Sequence, residues 1–190
     1  MTNTLKYLML VVLLSMVSCG RKAPVQSTCV MTVASPGEEF SRAVLYDADN
    51  QALDSVCPGE GATIVRNDTT AMPYLGFLRF YNPAEPADVI EIPVAVEGGE
   101  VTVDLNRRLG AVGTPLNDKL YEFLAERNRL NKLYTPSNNP GLTLEEMESA
   151  YSIFYVEQIN KADKLIGDFL EKSYGVHIQP GDRAKLRARE

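Results

Sequence analysis

At Gly113 the apolar pattern of the chain changes from strict alternation to the spacing of a helix, and this change limits the folds open to it. Before it, residues 29–105 contain about seven short runs of strand-forming residues separated by turn-forming ones. Such a series predicts an antiparallel sandwich or barrel. After it, two apolar stripes joined by a short loop predict an antiparallel helical hairpin. The sequence therefore predicts an α+β fold, with an antiparallel β domain over residues 29–110 and a helical hairpin over residues 113–175.

Two segments predict how the strands are connected. Residues 89–96 alternate apolar and polar side chains, and Pro93 cannot donate a ladder hydrogen bond, so this strand is expected at the edge of its sheet. The Gly-Gly sequence within residues 97–100 is typical of a hairpin turn, which predicts that the next strand pairs back onto residues 89–96. If the first three strands form a simple meander, Cys29 begins the first of them and Cys57 ends the third.

Capping signals mark where the two helices begin. Thr114 is expected at the N-cap of the first helix, with Pro115 at its first helical position. Thr143 and Glu146 form a capping box that opens the second helix, and Gly175 is a natural stop. The apolar stripe of that second helix is read as continuous: Leu144, Met147, Tyr151, Phe154, Gln158, Ala162, Leu165 and Phe169. Residues 176–190 are read as a charged tail, and the part that follows residues 179–182 lacks an apolar face, which predicts a frayed helix or disorder.

The first 18 residues predict a signal peptide. Lys6 supplies a positive charge, and the apolar run that follows is too short to span a bilayer as a helix. Small residues then lead to Cys19, which is the residue that a lipoprotein signal peptidase requires. Residues 1–18 are therefore expected to be removed, Cys19 to be lipidated, and residues 19–28 to form a tether. Two alternatives stay open. The segment is either an ordinary cleaved signal peptide with a chance cysteine or an N-terminal membrane anchor that is not cleaved.

Charge narrows the range of partners. Removal of residues 1–18 leaves 172 of the 190 residues, enough for one domain or for a small domain with a helical extension. The net charge of −6 then becomes −7, because Lys6 is the only charged residue removed. Nucleic acids and anionic lipid surfaces bind basic faces, so neither is expected as a partner. Contact with the lipid bilayer is expected through the acylated Cys19.

Cys29 and Cys57 remain after Cys19 is assigned to the lipid, and their pairing stays open. An even number of cysteines in an oxidising compartment is compatible with a disulfide, which would stabilise the fold by about 3.5 kcal/mol. In a simple meander, however, the two residues would lie at opposite ends of the sheet, beyond the ~7 Å that a disulfide spans. The alternative is that both are small buried hydrophobic residues.

No catalytic, metal or cofactor site is predicted. A thiol oxidoreductase needs a Cys-x-x-Cys pair or an activated thiolate, and the sequence contains neither. His177 is the single histidine, and it is expected to be a solvated surface residue rather than a zinc ligand. Residues 110–113 lack the lysine and hydroxyl residue of a phosphate-binding loop. The aromatic residues within 74–81 are expected in the core rather than along a ligand groove.

Three segments resemble those of a known family. They are Asp54-Ser55 on a strand, residues 92–103, and residues 113–117 at the start of a helix. Together they resemble the β-rich domain of unknown function at the N-terminus of bacterial envelope lipoproteins. In that family a helical segment follows, and then usually a thioredoxin- or peroxiredoxin-like domain. The resemblance covers roughly residues 28–135, and the sequence reaches Glu190 where the redox domain would begin, so that domain is expected to be absent.

The leading functional hypothesis is a non-catalytic lipoprotein of the bacterial cell envelope, anchored through Cys19 and facing the periplasm from the outer membrane. It would bind or scaffold another envelope protein and would need no cofactor. The alternative is an accessory or truncated member of a thiol–disulfide system that acts with a thioredoxin-like partner. That alternative requires a redox-responsive pair of Cys29 and Cys57. A third hypothesis is glycan or peptide binding on an open face of the sheet.

Overall fold

A computed structural model describes residues 28–34, 40–67, 72–105, 110–135 and 137–188. The predicted signal peptide, the lipidation residue Cys19 and the tether up to residue 27 lie outside the described residues. Within the described part, strands come first and helices follow, which confirms the predicted α+β class. The strands form two stacked sheets, so the predicted sandwich is confirmed as well.

Eight strands are present in the described ranges, one more than the approximate number predicted. They are β1 (Cys29–Ala34), β2 (Arg42–Asp47), β3 (Ala52–Val56), β4 (Thr63–Arg66), β5 (Tyr74–Tyr81), β6 (Val89–Val96), β7 (Gly99–Asp104) and β8 (Ala111–Val112). The first sheet has the order β4-β1-β7-β8 and the second has the order β3-β2-β5-β6. All neighbours are antiparallel except β1 and β7, which are parallel.

The connections between strands differ from the prediction in two places. The predicted hairpin at residues 97–100 is wrong, because β6 and β7 belong to different sheets. Gly99 has a φ of 134° and its N–H donates to the carbonyl of Thr28 at 3.0 Å, which directs the chain into the first sheet beside β1. The simple meander considered for the first three strands does not form either, because β1 lies in the first sheet whereas β2 and β3 pair in the second. At residues 97–100, a Gly-Gly turn allows either a hairpin or a connection between the two sheets. The connection between sheets is favoured because it buries β6 and β7 on facing sheets.

The second sheet is buried on both faces. Side chains such as Leu45, Phe80 and Val94 face the first sheet and form the core of the sandwich. On the opposite face, Leu75 and Ala95 are buried under the helices. The molecule therefore has three layers, with the second sheet in the middle. The predicted edge position of β6 is confirmed, because β5 is its only strand neighbour in the described part of the chain.

The helical region contains more helices than the predicted pair. They are α1 (Pro115–Leu133), α2 (Leu144–Lys161), α3 (Lys164–Tyr174), a 3₁₀ turn (Gly175–His177) and α4 (Pro180–Arg183). The capping box of Thr143 and Glu146 is present as predicted. The continuous helix is wrong, because α2 ends at Lys161 and Asp163 caps α3 by accepting from the Ile166 N–H at 3.1 Å.

The buried face of α2 lies to one side of the predicted stripe. Leu144, the first residue of that stripe, is 64% exposed. The buried residues of the helix are Ser152, Tyr155, Val156 and Ile159. Tyr151 and Phe154 of the stripe are partly buried against the apolar cluster of the helices. The predicted stripe continued the spacing of α2 through Ala162 into α3, where the structure ends one helix and begins the next.

The predicted charged tail, residues 176–190, is described as far as residue 188: α4 ends at Arg183, and Leu186 beyond it packs against the apolar cluster of the helices. Ile178 is only 3% exposed and belongs to the same apolar cluster as α1, α2 and α3. The segment follows α3 directly and returns along α2. This return places the C-terminal segment opposite α1 and creates the cleft described below.

Candidate functional site

A cleft of about 550 Å³ lies between α1, α2 and the segment that follows α3. Arg127 and Asn131 of α1 form one wall, and Tyr151 and Tyr155 of α2 form another. The third wall is the C-terminal segment 176–180. The volume of the cleft falls within the range of sites that bind small molecules. Like such sites, the cleft is lined by aromatic rings and a few polar groups.

Stacked aromatic rings form one side of the cleft. The ring of Tyr155 lies 5.5 Å from that of Tyr174 with an angle of 5° between them, and 5.6 Å from the ring of His177 at 24°. Phe123 packs against Tyr174 at 5.3 Å from inside the apolar cluster. Because each ring is held by its neighbours, the surface that they present to a ligand is fixed in orientation.

Arg127 is the principal charged group on the α1 side. Its guanidinium carbon lies 5.1 Å from the centre of the Tyr174 ring, a cation–π contact. Its Nε is buried and has no hydrogen-bond partner, and no carboxylate pairs with it among the residues that the structure describes. A buried donor of a charged group that lacks a partner is costly, so such a group is an indication of ligand binding.

A second arginine shows the usual arrangement for comparison. Arg79 lies over the ring of Tyr46 at 4.6 Å, on the face of the second sheet away from the sandwich core. Unlike Arg127, it donates from Nε to the carboxylate of Glu91 at 2.6 Å. Both arginines therefore contact a tyrosine ring, but among the described residues only Arg79 is also paired with a carboxylate.

The tyrosines of the cleft are neutral hydrogen-bonding groups. Burial raises the pKa of Tyr174 and also that of Tyr151 above the ordinary value of a phenol. Both hydroxyls therefore stay protonated at neutral pH, and the hydroxyl of Tyr151 donates to the side-chain oxygen of Asn131. Glu148 is the carboxylate among the described lining residues, and its side chain is exposed.

The C-terminal wall is held to α2 by a buried serine. Ser152 is fully buried, and its hydroxyl donates to the carboxylate of Asp182 at 2.5 Å and accepts from the Gln179 N–H at 2.9 Å. Asp182 also accepts from Lys185 at 2.6 Å. The hydrogen bonds from Lys185 and Ser152 lower the pKa of Asp182 below its usual range. The wall is thus fixed by a charged group that is ionised at neutral pH.

The orientation of α1 is set by Asn117 in its first turn. This residue is fully buried, and its side-chain oxygen accepts from the Ala95 N–H at 2.9 Å. Its amide nitrogen donates to the Ala95 carbonyl at 2.9 Å and to the hydroxyl of Thr114 at 2.8 Å. Asn117 therefore bonds to the edge strand β6 as a neighbouring strand would, and it fixes the helix that carries Arg127.

The start of α1 is capped from another part of the chain. Thr114 lies at the N-cap and Pro115 in the first turn, as predicted, but the Thr114 side chain does not cap the helix. A carboxylate oxygen of Glu97 accepts from the Leu116 N–H at 2.7 Å instead. Gly113, which has a φ of 110°, makes the turn into the helix, and a Cβ there would lie 2.6 Å from a backbone oxygen of the first sheet.

The structure does not bring together the two cysteines whose pairing the sequence left open. Cys29 and Cys57 are both free thiols, the first buried and the second exposed. The N–H of Gly59, two residues after Cys57, donates to the carbonyl of Val33, about 13 Å along β1 from Cys29. Burial raises the pKa of the Cys29 thiol, which disfavours the reactive thiolate. The thiol alternative thus lacks a paired site among the described residues.

Sequence reasoning named His177, Met147 and Tyr151 but assigned none of them to a cleft. His177 is exposed, as predicted, yet its ring also stacks on Tyr155. Arg127 was missed, although its position carried a signal. Arg127 stands four residues after Phe123 and three before Leu130, a position at which the helical spacing of apolar residues in α1 predicts another apolar residue. A charge within an apolar stripe indicates either an ion pair or a binding site.

The described residues contain no group of three or more His, Cys, Asp or Glu side chains that could hold a metal ion. Among the described helices, none has both the length and the apolar character needed to cross a membrane. Comparisons of the chain with protein families, with curated proteins and with solved structures find no match. The resemblance to the envelope lipoprotein domain stays a prediction.

Proposed function

We propose that this chain is a lipid-anchored binding module of the bacterial cell envelope. Cys19 anchors it, the folded domain faces the periplasm from the outer membrane, and it acts by binding another envelope component rather than by catalysis. The anchor is supported by the run of small residues that ends at Cys19. No cofactor takes part in this function.

The cleft is the observation that carries the binding role. It combines the rings of Tyr151 and His177, which are held in place by contact with the buried Tyr155, with hydrogen-bonding groups on two further walls. These groups select and orient a ligand, which is the pattern of a recognition site. The wall formed by residues 176–180 is held by Ser152 and Asp182, so the cleft exists without a ligand and needs little ordering on binding.

The anchor is tested by mass spectrometry of the N-terminal peptide and by membrane fractionation. The mature chain is expected to begin at an acylated Cys19 and to sediment with membranes. A Cys19→Ala variant is expected to lose the acyl mass and to leave the membrane fraction. An unmodified N-terminus on wild-type protein recovered from the soluble fraction would contradict the anchor.

Binding is tested with the full chain in deuterated detergent, by proton NMR of its single histidine. Because His177 is the only histidine and lies on the cleft, its ring signals report on that site without isotope labelling. Several members of a fragment library of small acids, amides and sugars are expected to shift them. A Val65→His variant places a second reporter on an exposed strand of the first sheet, and specific ligands leave that signal unchanged. A library that shifts neither signal would contradict a binding role for the cleft.

A further inference from the structure

We infer that the cleft binds a monoanionic organic acid with a flat ring, and that Arg127 receives the carboxylate. This inference rests on the proposed binding function and names its ligand class. The first support is the unpaired guanidinium. Arg127 lines the cleft with a buried Nε that has no hydrogen-bond partner, and no carboxylate pairs with it in the described part of the chain.

The second support is the contrast between the two arginines that stack on tyrosines. Arg79 over Tyr46 is paired with the carboxylate of Glu91, whereas no carboxylate of the described residues pairs with Arg127 over Tyr174. A planar guanidinium matches a carboxylate with two parallel N–H···O bonds. The Nε of Arg127 is closed to solvent, so a ligand in the cleft would be received by the other nitrogens of the guanidinium.

The balance of charge favours a monoanion over a phosphate. Glu148 lines the same cleft as Arg127, so the described lining contributes one fixed positive and one fixed negative charge. A phosphate monoester carries about −1.5 to −2 at neutral pH, and its second charge would meet Glu148 without a further cation to balance it. A carboxylate needs only the charge that Arg127 offers.

The walls favour a flat, apolar body attached to that carboxylate. Tyr155 is only 2% exposed and stacks on Tyr174 and on His177. The ring surface open to a ligand is therefore that of His177 and Tyr151. Rings in fixed orientations favour a planar partner over a flexible one, because a planar ligand loses less conformational freedom on binding. The site therefore combines one charge contact with one ring contact.

The probe is phenylacetate, titrated into the full chain in deuterated detergent while the His177 ring signals are followed. Comparison with its neutral isostere phenylacetamide gives the contribution of the charge to the affinity. Comparison with acetate gives the contribution of the ring. Phenylacetate is expected to bind with a Kd of roughly 0.1–5 mM, a range suited to so small a ligand. Both comparison compounds are expected to bind at least roughly tenfold more weakly. N-acetylphenylalanine tests the other source of this chemistry, a peptide C-terminus, and tighter binding than phenylacetate would assign that source.

Four variants locate the carboxylate. Arg127→Gln is expected to weaken phenylacetate binding roughly ten- to a hundredfold. Arg127→Lys is expected to weaken it less, because lysine keeps the positive charge but lacks the planar pair of N–H donors of a guanidinium. Arg129→Gln is the matched control, since Arg129 is exposed, is paired with Glu126 at 3.0 Å and does not line the cleft. Glu148→Gln removes the competing carboxylate and is expected to tighten binding roughly two- to fivefold.

Several results would overturn the inference. Equal binding of phenylacetate and phenylacetamide would show that charge plays no part. So would unchanged affinity in a folded Arg127→Gln variant or, if that variant does not fold, a failure of Glu148→Gln to tighten binding. The absence of any shift with phenylacetate would remove the site for acids altogether. Library hits without a carboxylate would overturn this inference and still support the proposed function, whereas loss of the lipid anchor affects neither measurement.

Discussion

Truncation of Asn117 to alanine is expected to destabilise the fold more than most single substitutions do. The side chain is fully buried and makes three hydrogen bonds, two with the backbone of Ala95 at 2.9 Å and one with the hydroxyl of Thr114 at 2.8 Å. Ala95 is itself fully buried, so water does not reach the groups that the truncation leaves behind. Asn117 also joins α1 to the edge of the second sheet.

The size of the effect follows from those unpaired groups. A buried donor or acceptor that loses its partner costs about 1–3 kcal/mol. The N–H and C=O of Ala95 both lose theirs, while the Thr114 hydroxyl is able to rotate toward another acceptor. Asn117→Ala is therefore expected to lower the free energy of unfolding by about 3–5 kcal/mol. Against a total of about 5–15 kcal/mol, this is a large part of the stability.

The measurement is urea unfolding of residues 19–190, followed by far-ultraviolet circular dichroism. Asn131→Ala is the matched control, because Asn131 is the same residue type on the same helix but is exposed, and it is expected to change stability by less than about 1 kcal/mol. An unchanged slope against urea concentration would show that the loss belongs to the folded state. A loss of under about 1 kcal/mol for Asn117→Ala would refute the reasoning, because unpaired backbone groups would then cost little at this site.

Three further predictions concern the cleft wall, the entry to α1 and the thiols. Because Lys185 lowers the pKa of Asp182, its stabilising effect is complete above the unfolded-state pKa of about 4 and is lost as the pH falls through the lowered folded-state pKa. Asp182→Asn is therefore expected to lose less stability than wild type between about pH 5 and pH 2.5 in urea unfolding, and equal losses would contradict this. Gly113→Ala, at a φ of 110°, is expected to cost about 1–3 kcal/mol in thermal unfolding, and an unchanged midpoint would show that the backbone adapts. Thiol counting is expected to detect Cys57 in the folded chain and Cys29 only in denaturant, with no change on reduction; a rise of two thiols with reductant would instead support the thiol–disulfide alternative.

Local patterns in the sequence predicted local structure well. The edge position of β6 followed from Pro93, which lacks the N–H that a second neighbour would need. The capping box at Thr143 followed from side-chain chemistry within one helical turn. In both cases the residues that decide the outcome are close together in the chain, so their physical effect can be read without knowing the fold.

Long-range partners were beyond the reach of such patterns. The Gly-Gly turn before β7 is compatible with a hairpin or with a crossing between sheets, and its outcome depends on pairing with β1. The stripe from Leu144 to Phe169 continues through Ala162, and only Asp163, a good N-cap residue, marked the break. Ser152 could not be recognised as an anchor, because its partner Asp182 is far away in sequence.

The parallel pairing of β1 with β7 has a consequence for how the chain is made. β1 occupies an inner position in the first sheet, yet its parallel neighbour is synthesised about 70 residues later. Until then β1 has only β4 beside it, and one side of its backbone stays open to misplaced strands. Pairings that close so long a loop form slowly, so the earliest strand of the domain is among the last to be secured. A nascent chain shorter than about 100 residues has no means of completing this sheet, and it must be kept from aggregating until β7 has emerged.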